Sequence, residues 1–435
     1  MIRLHPIPDA RHTCPYCRTG LQVEDWYIPG MRSLADLRCP QCSRRFFGDL
    51  PAGHGLYYPM LLDASTGVVH DDQSVPWFAR ILRDSYALRI DKPLGFDVEE
   101  FGRLQQPVLL NCLDSCYGHS LLKLLNAQYY LDNHPDTELV VLVPRFLRWM
   151  VPKGVASIWT VEVPLRQASQ WNDWIAAEVR RRVEPIGQCW LSIALGLPHP
   201  QDFSIERFTG VRPFPIAEWV DRLVRPTVTF IWREDRAWDK PPVAGRTDGL
   251  LRRARRRLLL NVRDQARRVV RVATAIREAF PEVDFAVAGL GERIRLPPWI
   301  ADLRVKDVNE QVERSWCERY SRSHVVVGVH GSNMLLPSAH AGSVVELVPP
   351  DRWGSLIQDI LLIPEESRQT MCRYRFIPVN SSAATAAEVV VALLRHLPSA
   401  LVNFSKASCD HTVLQSDPWL SARLHQEIVE QRRRP

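Results

Sequence analysis

The stretch from Ser323 to Pro350 reads SHVVVGVHGSNMLLPSAHAGSVVELVPP. Its apolar runs predict buried strands at 325–327 and 344–348, with a tight polar turn and a short helix between them. Open α/β sheets bind ligands beyond the carboxyl ends of their strands, and a glycine-containing turn that leads into a helix suits anionic groups such as phosphates. We therefore expect the chemistry of this chain at the turn.

Strand and helix patterns alternate over most of the chain outside this stretch. The first set has predicted strands at 108–110, 138–143, 157–163 and 191–195 and predicted helices at 119–130 and 171–183. The second set has a strand at 228–232, a long helix at 251–280, a strand at 285–288 and a helix at 309–321. Alternation of this kind predicts two α/β units in tandem, each with a parallel sheet covered by helices.

The 435 residues are 46% hydrophobic, which is enough for two medium domains and a small extra module. We expect an N-terminal module at 1–50, a first α/β domain with a connector at 51–222, a second α/β domain at 223–390, and a C-terminal helix and tail at 391–435. Because the sequence has no transmembrane-length apolar run and no secretory signal, a cytoplasmic location is expected. The net charge of +6 suits an anionic ligand without requiring nucleic acid.

The N-terminal module contains two C-x-x-C pairs, Cys14 with Cys17 and Cys39 with Cys42. Two such pairs, separated by a hairpin-length segment, can complete a tetrahedral site of four thiolates, for which zinc is the typical ion. Four protein ligands leave no open position, so we predict a structural zinc ribbon whose ion supplies much of its folding energy. The ribbon could also dock a protein partner, and His12 and His54 flank it as less favoured ligands.

Three side chains of the second α/β unit are candidates for binding an anionic ligand. His330 lies between two glycines, where it can donate to a phosphate or a sugar hydroxyl while the amides of Gly331 and Ser332 point at the same ligand. Glu346 is an acid in an otherwise apolar strand, so it needs hydroxyl groups or a cation as partners. Arg233 follows an apolar strand, where it can bind a pyrophosphate or pair with the neighbouring acids.

A polar loop in the first α/β unit offers two candidates for a general base. Asp114 and His119 follow the strand at 108–110, and either could take a proton from an acceptor hydroxyl. Asp114 could equally cap a turn, and His119 could simply begin the helix. The arginine run at 252–257 is interpreted as a solvated helix face rather than as a catalytic feature.

Several other nucleotide-dependent and hydrolytic classes are poorly supported. Gly289 and Gly291 form only part of a dinucleotide fingerprint, because the third glycine is missing. The sequence also has neither a P-loop nor the G-x-S-x-G element of the α/β-hydrolases. An NAD enzyme, an NTPase and a serine hydrolase are therefore disfavoured.

The opening stretch resembles glycosyltransferase family 61 in two segments, VGVHGSN at 327–333 and VELVP at 345–349. The family pattern is G-V-H-G-A-G-L followed by a strand with E-x-x-P, and here Ser332 and Asn333 replace the Ala-Gly of the family. The resemblance is specific over these two segments and looser from the strand at 228–232 onward. It implies a GT-B fold, in which two Rossmann-like domains face each other and the C-terminal one binds a nucleotide-sugar.

The same resemblance implies inverting transfer of a sugar to an acceptor hydroxyl, without an obligatory metal. The donor-site residues that it implies are Arg233, His330, Gly331, Ser332, Asn333 and Glu346. The family tends to have an aspartate one helical turn after its histidine, whereas Lys123 stands there in this chain, so the base stays open, with Asp114 as the first choice and His119 as the second. We expect a UDP-sugar donor ahead of a GDP-sugar, and a glycan, a protein or a lipid-linked acceptor.

Two other functional classes remain as alternatives. A non-catalytic protein could use a degenerate transferase fold and the ribbon to hold a nucleotide, a glycan or a protein partner. A nucleic-acid-binding protein could use the ribbon and the arginine run at 252–257, and its affinity would then fall steeply with salt.

Overall fold

The computed structural model describes residues 1–71, 75–194, 203–235, 238, 250–291, 294–361 and 372–403. The predicted tail beyond residue 403 and the side chains of the arginine run at 252–257 lie outside this described part. The chain divides into two compact units, Met1–Phe203 and Ser204–Pro435, which we call the first and the second unit. Among the described helices, none combines the length and the apolar composition that crossing a membrane requires.

Within the described residues, the first unit contains two sheets and three α-helices. Its strands are β1 (Ile2–His5), β2 (Gln22–Tyr27), β3 (Leu34–Arg38), β4 (Arg45–Asp49), β5 (Met60–Asp63), β6 (Val69–Asp71), β7 (Phe96–Glu100), β8 (Val108–Asn111), β9 (Leu139–Pro144), β10 (Ser157–Val161) and β11 (Cys189–Leu191). Its helices are α1 (Pro76–Ala87), α2 (Tyr117–Asn133) and α3 (Asp173–Val183).

One sheet of the first unit has the order β1-β11-β8-β9-β10-β7. Its four central strands are parallel, and the two edge strands run antiparallel to their neighbours. Every residue of β9 is buried, which explains its uninterrupted apolar sequence LVVLVP, because helices cover both faces of a parallel sheet. This part of the chain is Rossmann-like, as the alternating pattern predicts.

The other sheet of the first unit is antiparallel and has the order β2-β3-β4-β5-β6. The first cysteine pair precedes β2 and the second lies between β3 and β4, and the sheet continues past residue 50 into β5 and β6. Its side chains share a core with the parallel sheet, since Leu37 and Phe46 belong to the same buried cluster as Leu109 and Val140. The cysteine module is therefore packed into the first unit.

The described part of the second unit contains a sheet of six parallel strands. The strands are β12 (Thr227–Trp232), β13 (Asp284–Leu290), β14 (Ile300–Val305), β15 (Val325–Val329), β16 (Ser343–Val348) and β17 (Tyr374–Pro378). The helices are α4 (Ile205–Thr209), α5 (Trp219–Arg222), α6 (Leu250–Ala279), α7 (Glu310–Tyr320), α8 (Leu335–His340) and α9 (Ala383–Asn403).

The strand order in the second unit is β14-β13-β12-β15-β16-β17. Counted within the unit this is 3-2-1-4-5-6, the order of a dinucleotide-binding Rossmann fold. The order reverses between the neighbouring strands β12 and β15, which pair from Val228↔Val325 to Ile231↔Gly328. The predicted class is confirmed: the protein is α/β, with two Rossmann-like units in tandem and an N-terminal four-cysteine module.

Packing against this sheet explains the long helix α6. Val262, Val269, Ala273 and Ile276 recur at helical spacing and are buried, in one cluster with Phe230 of β12. Burial of a large apolar side chain such as Val or Ile stabilises the fold by about 1.5–3 kcal/mol. These contacts therefore hold the helix on the sheet. The carboxyl ends of the strands remain as the edge where polar side chains collect.

Candidate functional site

The first candidate region lies where the strand order of the second unit reverses. Arg233 directly follows β12, and His330 directly follows β15. Since β12 and β15 are adjacent and parallel, these two residues lie at neighbouring carboxyl ends. Open α/β sheets bind their ligands at such a reversal, because the connections leave in opposite directions and open a crevice. We call this region the switch-point edge.

The turn at this edge is built around a glycine. Gly331 has φ of +144°, a conformation that side-chain-bearing residues rarely adopt, so the turn requires glycine at this position. The Met334 amide donates to the Gly331 carbonyl at 2.8 Å and closes the turn into the short helix α8. The predicted strand, turn, helix and strand of the opening stretch are thus all present.

A buried acid holds the histidine of the turn. His330 Nδ1 lies 2.5 Å from Glu346 Oε2, and the two side chains are 3% and 0% exposed. Glu346 sits on β16, opposite Gly328 of β15 in the register, which brings it alongside the turn. Because Glu346 lies in an apolar strand, we expected it to have a cation or a hydroxyl group as its partner. In the structure that partner is His330. Glu346 therefore fixes the orientation of the imidazole.

Arg233 bridges the ends of the two strands. Its Nη1 donates to Asn333 Oδ1 at 2.6 Å, and its Nε donates to Asp235 Oδ1 at 2.7 Å. The side chain is only 16% exposed, whereas Asp235 is 59% exposed. The structure thus combines both sequence interpretations, because Arg233 is paired with a neighbouring acid and also reaches the turn that follows β15. Ser332 and Gly331 lie next to Asn333 in this turn.

The second candidate region is a cluster of polar side chains in the first unit, which we call the histidine–aspartate cluster. It brings together the predicted Asp114 and His119 with two further residues, His54 and Lys123. His119 Nδ1 lies 3.3 Å from Asp114 Oδ1 and 3.1 Å from His54 Nε2. Lys123 Nζ lies 2.9 Å from Asp114 Oδ2 and donates to the Leu113 carbonyl at 2.9 Å.

Burial and charge set the protonation states in this cluster. Asp114 is 1% exposed, and burial alone would raise its pKa. The Lys123 ammonium and the two histidines outweigh that effect, so the pKa of Asp114 lies well below its ordinary value. Burial lowers the pKa of His54 to about 4. At neutral pH the cluster therefore contains an ionised aspartate and a neutral His54, and His119 keeps a 35% exposed side chain.

Sequence reasoning found two members of this cluster and missed two. Lys123 is four residues after His119 on α2, a spacing that places both side chains on one face of the helix. His54 comes from a short 3₁₀ helix, Gly53–Leu56, and was considered only as a flanking ligand of the cysteine module. Helical spacing could have identified Lys123, but no local signal connects His54 to residues 60 positions later.

The four cysteines of the N-terminal module converge on one point. Cys14 Sγ lies 3.7 Å from Cys42 Sγ, and Cys17 Sγ lies 3.4 Å from Cys39 Sγ. All four thiols lie within 4.8 Å of one another, which is the spacing of ligands around a single metal ion. The residues present therefore fit a metal site of four thiolates. Each C-x-x-C pair supplies two of the four sulfur ligands.

Comparisons with known proteins add little. No family model matches the chain, and no curated protein matches it. The resemblance to glycosyltransferase family 61 therefore stays a prediction. A solved structure, the ADP-heptose LPS heptosyltransferase II of E. coli, is similar over 67% of this chain and 98% of its own, with 11% sequence identity and a TM-score of 0.36. At that level the similarity supports no statement about activity.

Proposed function

We propose that the protein is an inverting glycosyltransferase of the GT-B class that moves a sugar from a nucleotide-sugar to an acceptor hydroxyl. The observation that carries the proposal is the switch-point edge. A 3-2-1-4-5-6 parallel sheet places a guanidinium, a glycine turn and a buried histidine–glutamate pair at the reversal of strand order. Nucleotides bind at this position in open α/β sheets.

The donor would bind through its diphosphate. The Arg233 guanidinium offers several N–H donors to phosphate oxygens, and the amides of Gly331 and Ser332 lie on the adjacent turn. When the glycosidic bond breaks, negative charge develops on the leaving nucleoside diphosphate, and donors already in place stabilise that charge. Glu346 would act through His330, because it holds the imidazole at its Nδ1.

The acceptor hydroxyl would be activated by the histidine–aspartate cluster of the first unit. We assign the base to His119 rather than to Asp114, because Asp114 is buried, ionised and paired with Lys123. Asp114 would hold His119 by its Nδ1, so that Nε2 takes the proton of the hydroxyl. Attack on the face opposite the leaving group would invert the anomeric centre.

The proposed ligands are a nucleotide-sugar donor, an acceptor and a structural metal ion. UDP-sugars are proposed as donors ahead of GDP-sugars, and the acceptor is a glycan, a protein or a lipid-linked molecule. Cys14, Cys17, Cys39 and Cys42 would hold a structural Zn²⁺, whose role is to fold the N-terminal module. A protein partner could dock on that module.

The test is a panel of UDP- and GDP-sugars, assayed for binding and for release of nucleoside diphosphate. We expect turnover by the wild type and a loss of at least about 100-fold in kcat/KM for His330→Ala, because the buried ring cannot be replaced by water in the same geometry. The matched control is His396→Ala, an exposed histidine on α9 of the same unit, which should behave as wild type.

The outcomes separate the competing classes. Binding of a nucleotide-sugar without release of the diphosphate would replace the enzyme proposal by a non-catalytic binding protein. Equal activity of His330→Ala and wild type would contradict the assignment of the switch-point edge. If no donor binds at all, the glycosyltransferase proposal fails.

A further inference from the structure

Three side chains in the first unit place donor atoms at the mutual distances of ligands around one ion. His54 Nε2 is 3.1 Å from His119 Nδ1, His119 Nδ1 is 3.3 Å from Asp114 Oδ1, and the other carboxylate oxygen, Asp114 Oδ2, is 3.6 Å from His54 Nε2. Bonds of about 2.0–2.3 Å to a central ion place neighbouring ligand atoms roughly 3–4 Å apart. Each of the three distances falls in that interval, and one ligand atom from each side chain lies within 4.8 Å of the other two.

We propose that His54, Asp114 and His119 form a second metal site, distinct from the four-cysteine module, which binds a divalent first-row transition ion such as Zn²⁺. Two imidazole nitrogens and one carboxylate are a ligand set that zinc and its neighbours in the first transition row accept. The three residues come from a 3₁₀ helix, a loop after β8 and the first turn of α2, so the fold itself assembles the set.

Lys123 has a place in this arrangement as a partner of the carboxylate. Its ammonium lies 2.9 Å from Asp114 Oδ2, on the oxygen other than the one that faces His119. Metal-binding carboxylates are commonly held by a partner outside the ligand set, and this ion pair at Oδ2 would leave Oδ1 to meet the ion. The same ammonium adds positive charge next to the ion. The affinity for the metal should therefore be lower than that of the same three ligands without a lysine beside them.

Exposure distinguishes the two metal sites of the first unit. In the four-cysteine module four protein ligands would surround the ion, and Cys14 and Cys39 are fully buried. The triad supplies three ligands, and His119 keeps a 35% exposed side chain. Three protein ligands with an open side are typical of catalytic rather than structural metal sites.

The inference stands on the geometry of the first unit and does not require the proposed transferase activity. It does change one role within that activity. With an ion on its Nδ1, His119 would keep a proton on Nε2 and could not be the base. An ion held by His54, Asp114 and His119 would instead supply Lewis-acid polarisation of an acceptor hydroxyl, whose proton would pass to solvent water.

Metal content of the full chain tests the inference without any activity assay. The protein is stripped under reducing conditions, reconstituted with Zn²⁺, desalted and measured by elemental analysis. We expect about two ions per chain for the wild type and about one for His54→Gln and for His119→Asn, since each removes one of three ligands. His134→Asn, a histidine at the end of α2 outside the cluster, is the matched control and should keep two.

Cobalt substitution assigns each ion to its site. Co²⁺ bound to thiolates gives a sulfur-to-metal charge-transfer band, whereas Co²⁺ bound to imidazole and carboxylate does not. His54→Gln should lose only the absorption of Co²⁺ bound to imidazole and carboxylate. It should retain the charge-transfer band of Co²⁺ bound to thiolates. One ion per chain in folded wild type, with the thiolate band unchanged in all the variants, would overturn the proposal. Nucleotide-sugar binding in the same preparations reports separately on the second unit.

Discussion

The switch-point edge and the histidine–aspartate cluster differ in how the chain builds them. At the switch-point edge, the turn, its histidine and its glutamate all come from one stretch of 28 residues, and only Arg233 is distant in sequence. In the cluster, His54 is 60 residues from Asp114 and meets it only after the antiparallel sheet packs on the parallel one. Local motifs can be recognised in a sequence, whereas a site assembled by tertiary packing cannot.

The largest expected effect concerns the four-cysteine module, which belongs to the antiparallel sheet whose packing brings His54 to the cluster. Cys39→Ser removes a fully buried thiol of the proposed metal site, and we expect the free energy of unfolding of the first unit to fall by several kcal/mol, because binding of a structural metal ion is coupled to folding. Thermal unfolding followed by calorimetry measures this. Cys116→Ser, at a half-buried cysteine outside the set of four, is the control and should cost little. An equal loss of stability in both variants would show that the four cysteines have no special role in folding.

A second prediction sharpens the role of the switch-point edge. Arg233→Lys keeps the charge but removes the planar guanidinium that bridges Asn333 and Asp235. We expect nucleotide-sugar affinity to fall about 10-fold or more, corresponding to a loss of about 1.4 kcal/mol or more. Calorimetric titration measures the affinity. Arg322→Lys, an exposed arginine after α7, provides the control, and an unchanged affinity in Arg233→Lys would argue against diphosphate binding there.

The third prediction concerns the acid stability of the second unit. His340 is fully buried, with its Nδ1 2.8 Å from the Leu336 carbonyl and its Nε2 3.0 Å from Thr209 Oγ1. Burial lowers its pKa from 6.5 to about 4. Between these values the unfolded chain binds the proton more readily, so the free energy of unfolding falls as pH drops from 6.5 to 4.

His340→Gln should make that fall less steep, by at most about 1.4 kcal/mol per pH unit. Chemical denaturation at a series of pH values across the interval between the two pKa values gives the slope. The exposed His396→Gln should leave the slope of the wild type unchanged. A His340→Gln slope as steep as that of the wild type would show that His340 is not the group responsible.

The core strands and long helices could be predicted because their sequences carry strong patterns. The apolar runs of β9, β12 and β15 and the helical spacing in α6 leave little choice of structure. The edge strands β1, β7, β14 and β17 were missed, because they mix polar with apolar residues, which weakens the apolar pattern that identifies a strand.

The candidate site divides in the same way. His330, Glu346 and Arg233 were predicted from strand ends and from an acid in an apolar strand, features that need no partner to be noticed. His54 could not be predicted as a neighbour of His119, because the contact depends on the packing of a 3₁₀ helix against α2. The pairing of His330 with Glu346 is likewise a consequence of register, since β15 and β16 align Gly328 with Glu346.

Amide hydrogen exchange with and without UDP tests the central claim, nucleotide binding at the switch-point edge, most directly. We predict slower exchange on addition of UDP at residues 330–334 after β15 and at 233–235 after β12, with the same segments unaffected in Arg233→Ala. The same measurement with GDP shows whether the uracil or the guanine nucleotide is preferred. Unchanged exchange at 330–334 with saturating UDP and GDP, or protection confined to the first unit, would contradict the account.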